Sequence, residues 1–173
     1  MTKTHAAVVA VAVLCMTSAA TAHVVLESKE APSGSTYKAV LQVGHGCEGS
    51  PTTSLRVRIP EGVIAVKPMP KPGWELTTKR GEYAQAYDYY GEKLTEGVKE
   101  VAWTGGTLPD EWYDEFVLRV RLPDGAPGTV VRFPVVQECV EGVHRWIEVP
   151  AEGQDPDSLE EPAPFLTLTE KAE

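Results

Sequence analysis

The sequence predicts an all-β fold, and three of its features lead to that class. Short segments rich in Val, Thr, Tyr and Trp recur along residues 23–150, and clusters of Gly, Pro and Asp separate them. Gly and Pro number 15 and 14 of the 173 residues, a turn-rich composition that disfavours a helical bundle. The regular spacing of strands and turns favours one antiparallel β-sandwich of immunoglobulin-like type.

The predicted strands are dominated by β-branched, aromatic and other apolar residues. In chain order they are His23–Ser28, Tyr37–Val43, Ser54–Ile59, Val63–Val66, Trp74–Thr78, Gln85–Tyr89, Lys99–Trp103, Phe116–Leu122, Val130–Val136, Arg145–Val149 and Phe165–Leu168. Leu55–Ile59 and Leu118–Leu122 alternate apolar residues with arginines, as half-buried antiparallel strands do.

The composition changes after Pro150. Residues 151–162 are rich in Glu, Asp and Pro and contain little to bury, which is typical of a solvated linker. The last predicted strand follows, and Pro162 and Pro164 before it favour a position at the edge of a sheet. We therefore divide the mature chain into a sandwich at residues 23–150 and an acidic, Pro-rich tail at residues 151–173 that ends in an edge strand.

Residues 1–22 have the pattern of a secretory signal peptide. Lys3 precedes an apolar run from Ala6 to Met16, and Ala20-Thr21-Ala22 gives an A-x-A cleavage site. The run is shorter than the roughly 20 apolar residues that a membrane span needs. We expect cleavage after Ala22 and a periplasmic or extracellular location.

Cleavage also accounts for the odd number of cysteines. Of the three, Cys15 leaves with the signal peptide, which leaves Cys47 and Cys139. In an oxidising compartment such a pair predicts one disulfide that closes a long loop. A cysteine-based metal site is the alternative, but the spacing has no C-x-x-C character.

The charge balance limits the classes of partner. The chain has 25 acidic and 16 basic side chains, for a formal charge of −9. A nucleic-acid binder needs a positive surface against phosphate, so we expect no nucleic-acid or DNA partner. The sequence also lacks the G-x-S-x-G motif of many serine hydrolases.

The mature chain would begin with His23, a residue that offers two nitrogen ligands. Its α-amine and imidazole Nδ1 can close a six-membered chelate around one metal ion. The α-amine has an ordinary pKa of about 7.7–8.0, so its deprotonation is accessible at neutral pH. Nitrogen donors suit Cu(II), which has the highest affinity among the divalent first-row ions. The alternative is that a histidine follows the cleavage site by chance.

Further ligands could come from the two segments that carry the cysteines. His45 and Glu48 flank Cys47, and His144 and Trp146 follow Cys139. A disulfide would bring these segments within reach of each other. The alternatives are ordinary loop histidines, a surface carboxylate and a core tryptophan.

The oxidation state of the ion follows from the sulfur content. Met69 is the one methionine left after cleavage, and a disulfide would remove both thiols. Cu(I) prefers thiolate or thioether ligands. The remaining nitrogen and oxygen donors therefore favour Cu(II).

The sequence resembles the YcnI-like family of exported copper-binding domains along most of the mature chain. The matching stretches are Ala22–Val24, Gly44–Thr53, Arg56–Gly62, Pro72–Trp74, Val101–Gly106, Phe133–Cys139, Gly142 with Trp146, and Glu161–Pro164.

The resemblance implies an immunoglobulin-like sandwich that binds Cu(II) through a single-histidine brace. His23 would supply the brace, Glu48 the nearby carboxylate, and Trp146 would lie close to the metal. His45 and the cysteine pair depart from the general family pattern, and His45 is a candidate for an additional ligand. The implied function is that of a copper carrier or buffer, not an enzyme, acting in copper acquisition or homeostasis. Its partner would be a membrane copper transporter or another copper chaperone.

Two other functions stay open at the sequence level. A histidine-brace copper oxidase acting on polysaccharide would need a second histidine in the brace, either His45 or His144. A metal-free interaction module is the other, since sandwich domains often serve that purpose.

Overall fold

The computed structural model describes residues 23–172, and their regular structure is almost entirely β. The strands are β1 (Val25–Leu26), β2 (Glu30–Pro32), β3 (Thr36–Val43), β4 (Thr52–Arg58), β5 (Ile64–Pro68), β6 (Glu75–Tyr89), β7 (Glu92–Leu108), β8 (Asp114–Arg121), β9 (Val130–Arg132), β10 (Val135–Cys139), β11 (Val143–Trp146) and β12 (Phe165–Thr169). One short 3-10 helix, Pro156–Ser158, is the only helix among these residues. The all-β prediction is confirmed. The predicted signal peptide lies outside the described residues.

The strands form three sheets around one hydrophobic core. The sheet orders are β1-β3-β8-β5, β11-β10-β4-β7-β6 and β2-β12-β9. All pairs are antiparallel except β2 with β12. Leu55 of β4, Trp103 of β7 and Leu118 of β8 are fully buried in the shared cluster. Burial of each such side chain contributes about 1.5–3 kcal/mol, so the facing sheets are held mainly by apolar contact.

Several strand boundaries differ from the prediction. The two strands predicted at residues 74–78 and 85–89 belong to one long strand, β6, which pairs with β7. The strand predicted at 130–136 is divided into β9 and β10, which join different sheets. β2 was not predicted, because its sequence Glu-Ala-Pro shows no strand pattern and its pairing depends on residues far along the chain.

The tail belongs to the sandwich, and its predicted edge position is wrong. β12 lies between β2 and β9, so it is the central strand of its sheet. Leu166 and Leu168 alternate inward and are 0% and 1% exposed, which makes an inner position favourable. Pro162 and Pro164 precede the strand and do not interrupt its hydrogen bonds. The division at residue 150 therefore does not separate the tail from the core.

In the part of the chain that the structure describes, no helix has the length and apolar character needed to cross a membrane.

The buried position of β12 gives a testable consequence for stability. Leu166→Ala should lower the free energy of unfolding by about 2–5 kcal/mol, because it leaves a cavity in the core. Val140 is 67% exposed, so Val140→Ala should change stability by no more than about 0.5 kcal/mol. Urea denaturation of both variants measures the difference. Equal, small effects would show that the tail does not contribute to the core.

Candidate metal centre

Every histidine of residues 23–172 lies against one tryptophan. The ring centroids of His23, His45 and His144 are 5.4, 6.4 and 4.8 Å from that of Trp146. His144 stacks on the indole with an interplanar angle of 30°, whereas His23 and His45 meet it edge-on. Three residues far apart in sequence thus converge around a single buried side chain.

The disulfide predicted between Cys47 and Cys139 is present. It links the loop before β4 to the end of β10, and the Cα atoms of the two cysteines are 6.0 Å apart. β10 pairs with β11, which carries His144 and Trp146. As a result the ring centroids of His45 and His144 are only 5.9 Å apart.

Gln137 fixes the positions of Trp146 and the His45 loop. Its side-chain Nε2 donates to the His45 carbonyl and to Thr52 Oγ1, both at 2.7 Å, and its Oε1 accepts from Trp146 Nε1 at 2.9 Å. The indole N–H can only donate, so the orientation of the amide is set. Gln137 is 1% exposed; its hydrogen bonds to Thr52 and Trp146 are buried, and the one to the His45 carbonyl is part-buried.

Sequence reasoning missed the role of Gln137. The available signal is a polar residue at an inward position of β10, on the same face as Val135. Buried polar side chains in a strand need specific partners, which makes such a position a candidate for a structural role.

The loop that carries His45 has little freedom. Cys47 and Ser50 exchange two backbone hydrogen bonds of 2.9 Å across a two-residue turn. Glu48 and Gly49 occupy that turn with φ values of 51° and 88°, as a type I′ turn requires. A Cβ on Gly46 would collide with the Ser50 carbonyl oxygen, and Gly46 N donates to Asp110 Oδ1 at 2.8 Å.

The turn places Glu48 at an exposed tip. Its side chain lines a cavity of about 260 Å³ together with Ser50, Glu141 and His144. His23 is not among the residues that line this cavity. The structure therefore brings Glu48 beside His144.

A second carboxylate, from Glu161 in the tail, contacts a histidine of this cluster directly. Its Oε1 is 2.7 Å from His144 Nδ1, and its Oε2 accepts from the backbone N–H of Arg145 at 3.0 Å. Glu148 Oε2 in turn accepts from Glu161 N at 2.8 Å. Sequence reasoning placed Glu161 in a solvated linker, because the pairing that carries it to β11 is long-range.

His23 is the first described residue; it lies two residues before β1, with its ring against Trp146. Its Nε2 is buried and has no hydrogen-bond partner, which is uncommon for a ring nitrogen with a purely structural role. A cavity of about 580 Å³ opens beside it, with Lys29 and Arg132 among its lining residues. Most of the remaining lining is apolar, contributed by β1, β9 and the tail.

The donor set around His23 fits a copper brace only after processing. In residues 23–172, no three side chains from His, Cys, Asp and Glu are arranged to hold a metal ion. A brace needs one side chain and the α-amine, and that amine exists only once the chain begins at His23. A chain that began at His23 would offer its amine and its imidazole Nδ1 as two nitrogen donors, with Trp146 beside the ring.

The sequence profile of a known family matches residues 23–168. The chain belongs to the DUF1775 family, a domain of unknown function. The match to DUF1775 starts at His23, the residue that the predicted cleavage makes the first. No curated protein sequence matches the chain.

The DUF1775 domain is similar to a solved structure, that of an uncharacterized protein from Nocardia farcinica with an immunoglobulin-like fold. The two share 26% sequence identity with a TM-score of 0.63, and the alignment covers 85% of this chain and 98% of that one. The immunoglobulin-like sandwich predicted from the sequence is confirmed.

The hydrogen bonds of Gln137 give a second testable consequence. Gln137→Met keeps a similar volume but leaves Trp146 Nε1 and the His45 carbonyl without partners. The variant should lose about 1–3 kcal/mol of stability for each buried group left unsatisfied. Gln85 is exposed on β6, so Gln85→Met should be nearly neutral.

Urea denaturation compares the two variants of the DUF1775 domain. A Gln137→Met protein as stable as its Gln85→Met control would contradict the structural role of the buried amide.

Proposed function

We propose that this DUF1775 domain is an exported Cu(II)-binding protein that carries or buffers copper. The ion is held by the α-amine and the imidazole Nδ1 of mature His23. The observation that carries the proposal is the position of His23. It lies at the predicted cleavage site and against Trp146, so cleavage would place a free α-amine and the imidazole of one residue beside the tryptophan.

The chemistry of the amine makes this residue a stronger ligand than an internal histidine. When two nitrogens of one residue bind the ion, only one side chain loses conformational freedom. The chelate therefore costs less entropy than two ligands from separate residues. Copper takes the place of a proton on the amine, which titrates near ~7.7–8.0. The disulfide leaves Cys47 and Cys139 without thiols, and this supports Cu(II) over Cu(I).

The small number of ligands supports a copper carrier rather than an enzyme. A brace and one carboxylate, which the family resemblance assigns to Glu48, leave coordination positions free for incoming ligands. A transporter or a second chaperone can then take the ion by ligand exchange, with no chemical change to a substrate. The cavity beside His23 gives a partner a route to the ion.

Trp146 limits the access of water to the ion on the side where the indole lies. The indole is 3% exposed and is fixed by Gln137, so it presents an apolar wall next to the His23 ring. An apolar wall excludes water from one part of the coordination sphere. We assign Trp146 this shielding role and not that of a ligand.

The decisive variable for the brace is the free amine. Two proteins test it: one begins at His23, and the other, the Gly-extended protein, carries the segment Gly-Ser-Gly-Ser before His23, which is long enough to keep the new terminal amine out of the chelate. The extended protein keeps the imidazole but converts the amine into an amide, so its Cu(II) affinity should fall on the order of 100-fold or more, about 2.8 kcal/mol. Competition titration measures affinity, and electron paramagnetic resonance reports the change in nitrogen ligation.

The comparison with the extended protein is decisive in both directions. Equal affinities and superimposable spectra for the two proteins would reject the brace. A protein that begins at His23 but retains no copper would instead favour a metal-free interaction module.

The same amine predicts a pH dependence. Below the amine pKa of about 7.7–8.0, each unit of falling pH should lower the apparent Cu(II) affinity about tenfold, because a proton must be displaced. The Gly-extended protein should lack the step at the amine pKa. Titrations at several pH values compare the two, and an identical profile for both would exclude a role for the amine.

A further inference from the structure

We propose that His45 and His144 form a second site for a divalent transition-metal ion, separate from the His23 brace. The ion would be bound through the Nε2 atoms of the two imidazoles. This site does not use the α-amine, so it does not depend on the function proposed above.

The hydrogen bond to Glu161 prepares His144 for metal binding. A carboxylate can only accept, so the Nδ1 of His144, 2.7 Å from Glu161 Oε1, carries the proton. In the neutral ring, Nε2 is then left with a free lone pair. Metal-binding histidines commonly have this arrangement, in which a carboxylate fixes the tautomer and raises the basicity of the ligating nitrogen.

His45 is prepared in the same way by a backbone group. Its Nδ1 contacts the carbonyl oxygen of Gly46, which can only accept. The Nε2 of His45 therefore also has a free lone pair when the ring is neutral. Two neighbouring imidazoles thus share one tautomer, and each presents the nitrogen that most often binds metals.

The separation of the two rings fits one shared ion. A metal–nitrogen bond of about 2.0–2.1 Å places the ion roughly 3.2 Å from a ring centroid, so two ligating rings lie no more than about 6.4 Å apart. The centroids of His45 and His144 are 5.9 Å apart.

Both rings are carried by restrained backbone. The Cys47–Cys139 disulfide and the Gln137 hydrogen bond hold the His45 loop, and His144 is stacked on Trp146. Pre-positioned ligands lose little freedom on binding, which favours affinity.

The remaining ligands would come from the cavity beside His144. Glu141 lines it together with His144 and is exposed, so we assign a carboxylate ligand of this site to Glu141. Because the described residues hold no preformed group of three such side chains, the imidazole pair is the fixed part of this site. Two histidines with one carboxylate form a donor set that suits Zn(II) and Cu(II).

The test uses the Gly-extended protein, in which the brace is blocked. Calorimetric titration with ZnCl₂ and, separately, with CuCl₂ should give one equivalent bound for at least one of the two ions. His45→Asn or His144→Asn should abolish that binding. The protein that begins at His23 should bind two equivalents of Cu(II). Circular dichroism of each variant verifies that the sandwich is retained.

Substitution of Glu161 distinguishes a role in metal binding from a purely structural role. Glu161→Gln keeps an acceptor for His144 Nδ1 but removes the charge, so metal affinity at the second site should fall about 10- to 100-fold. Glu160→Gln, at the exposed neighbouring position, should leave the affinity unchanged.

Two results would overturn the second site. In the first, the extended protein binds neither ion, or binds one without dependence on His45 and His144. In the second, the protein that begins at His23 binds a single Cu(II), and both the extension and His45→Asn lower its affinity. That result would mean that His23 and His45 share one site. Failure of the brace gives a different result. The extension would then leave Cu(II) binding unchanged, whereas His45→Asn would still abolish the binding of one ion.

Discussion

A single buried amide, that of Gln137, connects the parts of the molecule on which the candidate centre depends. It ties the His45 loop, Thr52 of β4 and the indole of Trp146 together at hydrogen-bond distances of 2.7–2.9 Å. The bonds to Thr52 and Trp146 lie in the low-dielectric interior, where each is strong and would be costly to leave unmade. The disulfide fixes the same loop covalently, so the His45 loop is held by two independent constraints.

The sequence was informative where patterns are local. Alternation in β4 and β8, the turn residues between strands and the cysteine pair all follow from neighbours along the chain, and the cleavage before His23 stays a prediction. Contacts between residues far apart in the sequence could not be predicted from such local patterns. Glu161 reaches His144 because β12 inserts between β2 and β9, and no local signal in an acidic, Pro-rich tail indicates that insertion. Gln137 was missed for a related reason, since its partners lie on three different segments.

The candidate centre is assembled from both ends of the described chain, residues 23–172. His23 stands at one end, and Glu161 lies shortly before the last strand, so a partly folded chain has neither in place. Processing adds a further requirement, because the amine of His23 does not exist while residues 1–22 are attached. Under the proposed function, binding by the brace is therefore confined to protein that has been both cleaved and folded. The cytoplasmic precursor would not hold copper in this way.

The brace at His23 is tested most directly by locating the ion. The measurement is anomalous diffraction at the copper edge from crystals of protein that begins at His23, with one equivalent of Cu(II). We predict a peak about 2.0–2.1 Å from both the α-amine nitrogen and Nδ1 of His23, beside the Trp146 indole. A principal peak bound at His23 Nε2, or one at His45 and His144 with none at His23, would contradict the account.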